Sequence, residues 1–150
     1  MRHLAVLTVL ALVAPSAVIA AGDQDGSLDD LVSVLGAVLY PVQLMAYCHR
    51  EIAAEPAFLA AGRQWNERNW QLLANIEERA AAAEVSDEAR RAADEATLAA
   101  IVSVVASQAD RPAYCRVMAA VIDGGYYDID RRTDLAPALK RIFKTEQQTE

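Results

Sequence analysis

Histidine is almost missing from this sequence. There are two in 150 residues, His3 and His49, and only His49 lies outside the first twenty. Metal clusters need several ligands at fixed spacing, and the Glu-x-x-His pairs of carboxylate-bridged di-iron bundles do not occur. Met45 and His49, four apart on one helical face, have no second Met/His pair to complete a copper site. No metal and no other cofactor is therefore expected. Cysteine is limited to Cys48 and Cys115. Neither belongs to a C-x-x-C, which removes thioredoxin-type redox chemistry and c-type haem attachment. The nucleophile motifs G-x-S-x-G and S-x-x-K are also lacking. The carboxylate pairs Glu77-Glu78 and Asp94-Glu95 sit in arginine-rich helical stretches and read as solvated faces. Nothing in the chain calls for an enzyme.

Basic charge is scarce as well. The full chain carries 14 Lys and Arg against 21 Asp and Glu, a net charge of −7. Only Lys140 and Lys144 are lysines, beside twelve arginines. Such a balance excludes nucleic acid as a partner, since phosphates need basic patches, and an anionic membrane surface as the main one. The arginine-over-lysine bias and the abundance of alanine point to a bacterium with a GC-rich genome.

What is present begins with Met1-Arg2-His3, followed by an apolar run from Leu4 to Ala14. Pro15 and Ser16 break the run, and small residues lead to Ala20 and Ala21. A charged start, a short apolar stretch and a small-residue end are the marks of a secretory signal peptide. Cleavage after Ala20 or Ala21 fits, with Ala20 preferred. The run is short for a membrane span of about 20 residues. Removal of residues 1–20 leaves 13 basic and 21 acidic residues, a net charge of −8. Export to the bacterial periplasm, or to the medium, is the expected destination. Two cysteines in an exported chain read as one disulfide, Cys48 to Cys115. Closing so long a loop stabilises a fold by about 4 kcal/mol in the chain-entropy model.

After a polar, mobile lead at 21–27, the pattern predicts one helical domain over 28–144 and a frayed tail at 145–150. Ser27 is positioned to cap the first helix, with Asp29 and Asp30 in its first turn. Leu28, Leu31, Val32, Leu35, Leu39 and Val42 follow at helical spacing, and Pro41 should kink the helix before it ends near Ala54. Leu31 to Tyr47 is uncharged. It reads as a central helix covered on all sides rather than as a span, with no stable membrane insertion after cleavage. Glu55-Pro56 opens a second helix to about residue 83, whose stripe is Phe58, Gly62, Trp65, Asn69, Leu72, Ile76 and Ala80. Ser86, Asp87 and Glu88 open a third helix with an apolar second half: Leu98, Ile101, Val102 and Val105. Asp110 and Pro112 open a fourth, stopped by Gly124-Gly125. Thr133 or Asp134 caps a last one carrying Leu135, Leu139, Ile142 and Phe143. No period-2 strand, repeat or low-complexity linker interrupts the series. The expected fold is all-α, a bundle of four to five helices with one disulfide.

Two stretches stand out as candidate contact surfaces. In Trp65-Asn66-Glu67-Arg68-Asn69-Trp70, Trp65 and Asn69 fall on the apolar stripe. Asn69 is then a core amide that must be hydrogen-bonded, to a backbone carbonyl or near the Pro41 kink. Arg63, Asn66 and Trp70 lie off the stripe, and Trp with Arg on a surface anchors interfaces. The loop Gly124-Gly125-Tyr126-Tyr127-Asp128-Ile129-Asp130 offers Tyr126, Tyr127 and Asp128, since loops often carry recognition residues. It lacks the rest of an EF-hand. The plan of signal peptide, early and late helical cysteines and no strands resembles exported two-cysteine helical proteins of bacteria. Among these are periplasmic immunity proteins that block cell-wall amidase toxins, and small acid-stress chaperones. The likeness is one of plan and carries over no residue role. The expected function is a non-enzymatic module that binds another exported protein, as an inhibitor, immunity or adaptor protein. The alternative is a carrier of a small apolar ligand or a periplasmic stress chaperone.

Overall fold

The computed structural model describes residues 26–144. The expected leader, most of the polar lead and the tail lie outside them. Within them the chain is helical and no strand occurs among the described residues: α1 Gly26–Tyr47, α2 Pro56–Ala82, α3 Asp87–Ala106, α4 Arg111–Asp123 and α5 Ala136–Lys144. The expected all-α bundle with one disulfide is what the chain forms.

The helix boundaries follow local chemistry. Pro56 supplies the fixed φ of a first turn to α2. The Ser86 hydroxyl accepts the Ala89 N–H at 3.2 Å, and an Asp110 carboxylate oxygen accepts the Ala113 N–H at 2.9 Å, so both caps act as expected. Gly124 ends α4, and Gly125 follows in the left-handed region at φ 79°.

Three boundaries differ from expectation. α1 is helical from Gly26, the first described residue, so Ser27 lies inside the helix rather than at its cap. The chain stays helical through buried Pro41, and the departure from α geometry comes later. Residues Cys48–Ile52 form a π-helical turn in which the Ala53 N–H reaches back five residues to the Cys48 carbonyl, at 3.0 Å. The last helix opens at Ala136, and Asp134 is paired with Arg132. Both of its carboxylate oxygens are held by Arg132, at 2.7 and 2.6 Å, within the preceding turn.

α1 is the central element and packs on α2, α3 and α5. Leu31, Val34, Leu35, Val38, Leu44 and Met45 form its buried face, meeting Phe58, Trp65 and Ile76 of α2, with Ile101 and Val105 of α3 and Met118 and Ile122 of α4 in the same core. Burying side chains of this size contributes about 1.5–3 kcal/mol each. The α2 stripe matches the sequence reading: Phe58, Gly62, Trp65, Asn69, Ile76 and Ala80 are all buried. The apolar side of α3 and the outer edge of α1 are wider than their neighbours can cover. Leu98 and Val102, and Leu28, Leu39 and Val42, are therefore more exposed than their spacing suggests. Leu28–Ile52 is long and apolar enough to cross a membrane by length and composition, and 44 % of its apolar window is buried inside the fold.

Close approach and cross-links fix the arrangement. At Gly36 a Cβ would stand 3.2 Å from the Thr97 hydroxyl of α3. That hydroxyl stands 2.8 Å from the Ala93 carbonyl oxygen and 3.0 Å from the Gly36 carbonyl oxygen, which share its single proton. Buried Asp30 on α1 clamps the Arg141 guanidinium of α5 at 2.5 and 2.7 Å. The disulfide joins Cys48, where α1 passes into the π turn, to Cys115 in the first turns of α4, with Cα atoms 5.8 Å apart and both sulfurs buried.

Candidate functional site

Trp65, Arg68, Asn69 and Leu72 are spaced i, i+3, i+4, i+7 along α2 and share one face. The segment that follows α4 is folded onto this face. The Trp65 indole N–H donates to the Tyr127 carbonyl at 2.8 Å. Asn69 is 5 % exposed and uses its amide three ways. Nδ2 donates to the Trp65 carbonyl at 2.8 Å and to the Asp128 carboxylate at 3.1 Å, and Oδ1 accepts the Ile129 N–H at 2.8 Å. The sequence reading anticipated a backbone carbonyl for this amide. The further partners are the 126–132 segment rather than the region of Pro41.

Arg68 completes the lock. Its Nε donates to both Asp128 carboxylate oxygens at 3.2 and 3.1 Å, and Nη2 donates to the Ile122 carbonyl at the end of α4 at 2.6 Å. Gly125 makes the turn possible. Its φ of 79° suits glycine, and a Cβ there would stand 2.7 Å from Asp128 Oδ2. Tyr127 is half-buried, stacked on Tyr40 of α1 at 5.8 Å between centroids and covered by the Arg132 guanidinium at 5.5 Å. Burial raises the phenol pKa of Tyr40, Tyr114 and Tyr127 above the ordinary value. Asp134 titrates below its usual range because the Arg132 guanidinium is hydrogen-bonded to it.

The residues expected at a contact surface thus divide. Asp128 is 8 % exposed and committed to Arg68 and Asn69, and Tyr127 lies under Arg132. Both brace the loop along with Trp65 and Asn69. Tyr126 is 72 % exposed, packed edge-on to Tyr127 at 5.6 Å. Arg63 and Asn66 are exposed, and Trp70 is 61 % exposed. At 3.6 residues per turn, Trp70 stands about 160° round α2 from Arg68. The triplet Arg63, Asn66 and Trp70 and the loop tyrosine therefore face different sides of the helix and do not form one patch.

A shallow cleft of about 490 Å3 opens between α2 and the loop. Arg68, Asn69 and Asp128 form its inner wall, and Leu72 adds an apolar patch. Gln71 and Asn75 of α2 and Asp130 and Arg131 of the loop form its rim. A second open cleft, of about 380 Å3, lies between α2 and α4, lined by five alanines and Phe58 with Glu55, Gln64, Arg116 and Asp123. The sequence reading quoted Arg68 and Asp130 within its two stretches without giving either a role, and it did not single out Gln71, Asn75 or Arg131. The only sign in the sequence was an arginine one residue before a core asparagine.

His49 lies next to the bridged Cys48, with Nδ1 3.1 Å from the Glu55 carbonyl oxygen. No group of three or more His, Cys, Asp or Glu able to hold a metal occurs among the described residues. Both cysteines are in the disulfide. The chain matches no family model, no characterised protein and no solved structure.

Proposed function

We propose that this chain is an exported, non-enzymatic protein-binding module: an inhibitor, immunity or adaptor protein of the bacterial periplasm, with residues 1–20 as its signal peptide. The observation that carries the reading is Trp70, a large aromatic 61 % exposed on a helix whose other face is locked into the core. Arg63 and Asn66 stand beside it on the same face. Buried anchors at interfaces are enriched in Trp and Arg, and a rigid helix presents them at little entropic cost. The disulfide supports export, since such bonds persist in oxidising compartments. The acidic balance favours a basic partner surface. A carrier of apolar ligands would need an enclosed apolar cavity of several hundred Å3, whereas both clefts described above are open to solvent.

Two measurements test this. N-terminal sequencing of the protein from cells of its source should start at Ala21; a chain beginning at Met1 in the cytoplasm overturns export. A photo-crosslinking amino acid replacing Trp70 should capture one exported protein. Trp70→Ala should then weaken binding of the purified pair at least tenfold. No adduct, or an unchanged affinity, removes the α2 surface from the proposal.

A further inference from the structure

The cleft between α2 and the 124–132 segment has two rings of polar groups that differ in state. The inner ring is committed: Arg68, Asn69 and Asp128 hold one another and the backbone of Ile122, Trp65 and Ile129. The rim is not. The side chains of Gln71, Asn75, Asp130 and Arg131 form no hydrogen bond or ion pair among the described residues, yet they converge on one concave space. The inner ring fixes the backbone that carries Asp130 and Arg131, because the Arg131 N–H donates to the Asp128 carbonyl at 2.9 Å and Asp128 is pinned to α2; Gln71 and Asn75 ride on α2 itself. The rim side chains are exposed, and their hydrogen-bonding capacity is unfilled among the described residues.

The spacing of the rim points to a ligand. Gln71 and Asn75 are one turn apart, about 6 Å along the helix. Alternate residues of an extended chain repeat at about 6.7 Å. Two carboxamides at this interval match successive main-chain amide groups on one edge of an extended peptide, each able to donate and accept together. Arg131 supplies a planar guanidinium that has no ion pair among the described residues, with Nη1 on the same side of Gly125 as Asp128 Oδ2; such a group binds a carboxylate bidentately. Leu72 adds half-buried apolar surface suited to a small aliphatic side chain. The Asp130 carboxylate repels acidic side chains and accepts a main-chain N–H.

We propose that this cleft captures the C-terminal end of a partner polypeptide, with the terminal carboxylate on Arg131 and the preceding main chain on Gln71 and Asn75. The assignment rests on the protein-binding reading, for which it names a second, separate contact. It does not depend on Trp70, which faces another side of α2.

The test is titration of the 15N-labelled, disulfide-bonded mature chain with acetyl-Ala-Leu-Ala bearing a free carboxylate. The Gln71 and Asn75 side-chain amide signals should shift saturably, with a Kd on the order of 1 mM or tighter. The C-terminally amidated peptide should bind at least tenfold more weakly. Arg131→Gln should lose at least tenfold, whereas Asp130→Asn should bind the carboxylate at least as well. Trp70→Ala should not change the titration, so failure of the α2 surface and failure of this cleft are read separately. No saturable shift at about 10 mM peptide, equal binding of the amidated form, or a preference for the unacetylated zwitterion overturns the assignment. Unchanged backbone spectra of the variants show that they fold.

Discussion

Replacing Asn69 with alanine tests whether the loop is held by its hydrogen-bond network or merely rests on α2. The change removes three bonds of 2.8–3.1 Å in a site where the residue is 5 % exposed. The Ile129 N–H loses its acceptor, and an unsatisfied buried donor costs about 1–3 kcal/mol. The bond to the Asp128 carboxylate is charge-assisted and contributes about 1.5 kcal/mol more. The Trp65 carbonyl keeps its helical partner, so its loss is small. The sum is about 3 kcal/mol, or a fall in Tm of about 12 °C for a domain of this size. Urea unfolding followed by far-UV circular dichroism, with the disulfide intact, measures it. Asn69→Asp keeps the volume but sets a second carboxylate about 3 Å from Asp128. Like charges so close raise a carboxyl pKa. Its cost at neutral pH should therefore equal or exceed that of alanine, and should shrink as the pH falls and one carboxyl takes up a proton. A double-mutant cycle with Asp128→Ala should show coupling of about 1 kcal/mol or more. A loss below about 1 kcal/mol for Asn69→Ala, or strict additivity with Asp128→Ala, would refute the network as the loop's anchor.

Gly125→Ala forces a Cβ toward Asp128 at a positive φ and should cost about 2 kcal/mol in the same assay, whereas Gly124→Ala, at φ −69°, should cost markedly less. The unreduced protein, denatured and treated with a thiol reagent, should show no free thiol. Cys48→Ser with Cys115→Ser should lower stability by about 4 kcal/mol, and two titratable thiols in the native chain would contradict the bridge. Stability should decline at alkaline pH. Burial raises the phenol pKa values of Tyr40, Tyr114 and Tyr127 in the fold. Their contribution is whole below the unfolded value of about 10 and is lost as the pH climbs above it, because the unfolded chain ionises first. Urea midpoints at pH 9 and 10.5 should differ, and the difference should shrink in Tyr40→Phe.

The parts of the fold that local chemistry dictates were legible in the sequence. Glu55-Pro56, Ser86, Asp110-Pro112 and Gly124-Gly125 each act within a few residues, and each marks a boundary close to where it was expected. The disulfide followed from there being two cysteines. The π turn at Cys48–Ile52 was not legible: one residue more per turn leaves no trace in periodicity, and tertiary fit decides where it falls. Nor were the partners of Asn69. Its burial follows from the stripe, but the choice of Asp128 and Ile129, 59 and 60 residues on, depends on how α4 returns the chain to α2. Asp128 shows the same limit from the other side. An aspartate in an aromatic loop reads as a surface group until an arginine from another helix is known to face it. Leu98 and Val102 read as core because apolar spacing gives the width of a helix face but not the width of its cover.

The two tryptophans stand five residues apart on α2, one 1 % exposed and the other 61 %. Their emission therefore divides into two channels. An aqueous quencher such as iodide reaches Trp70 and leaves Trp65 dark to it, so the quenched fraction reports whatever covers the outer face of α2. In a Trp70→Phe chain the remaining light comes from the indole whose N–H is bonded to the Tyr127 carbonyl, and its wavelength reports whether the loop is seated. The molecule carries its own pair of probes, one for occupancy of a surface and one for closure of a lock, and neither needs a label.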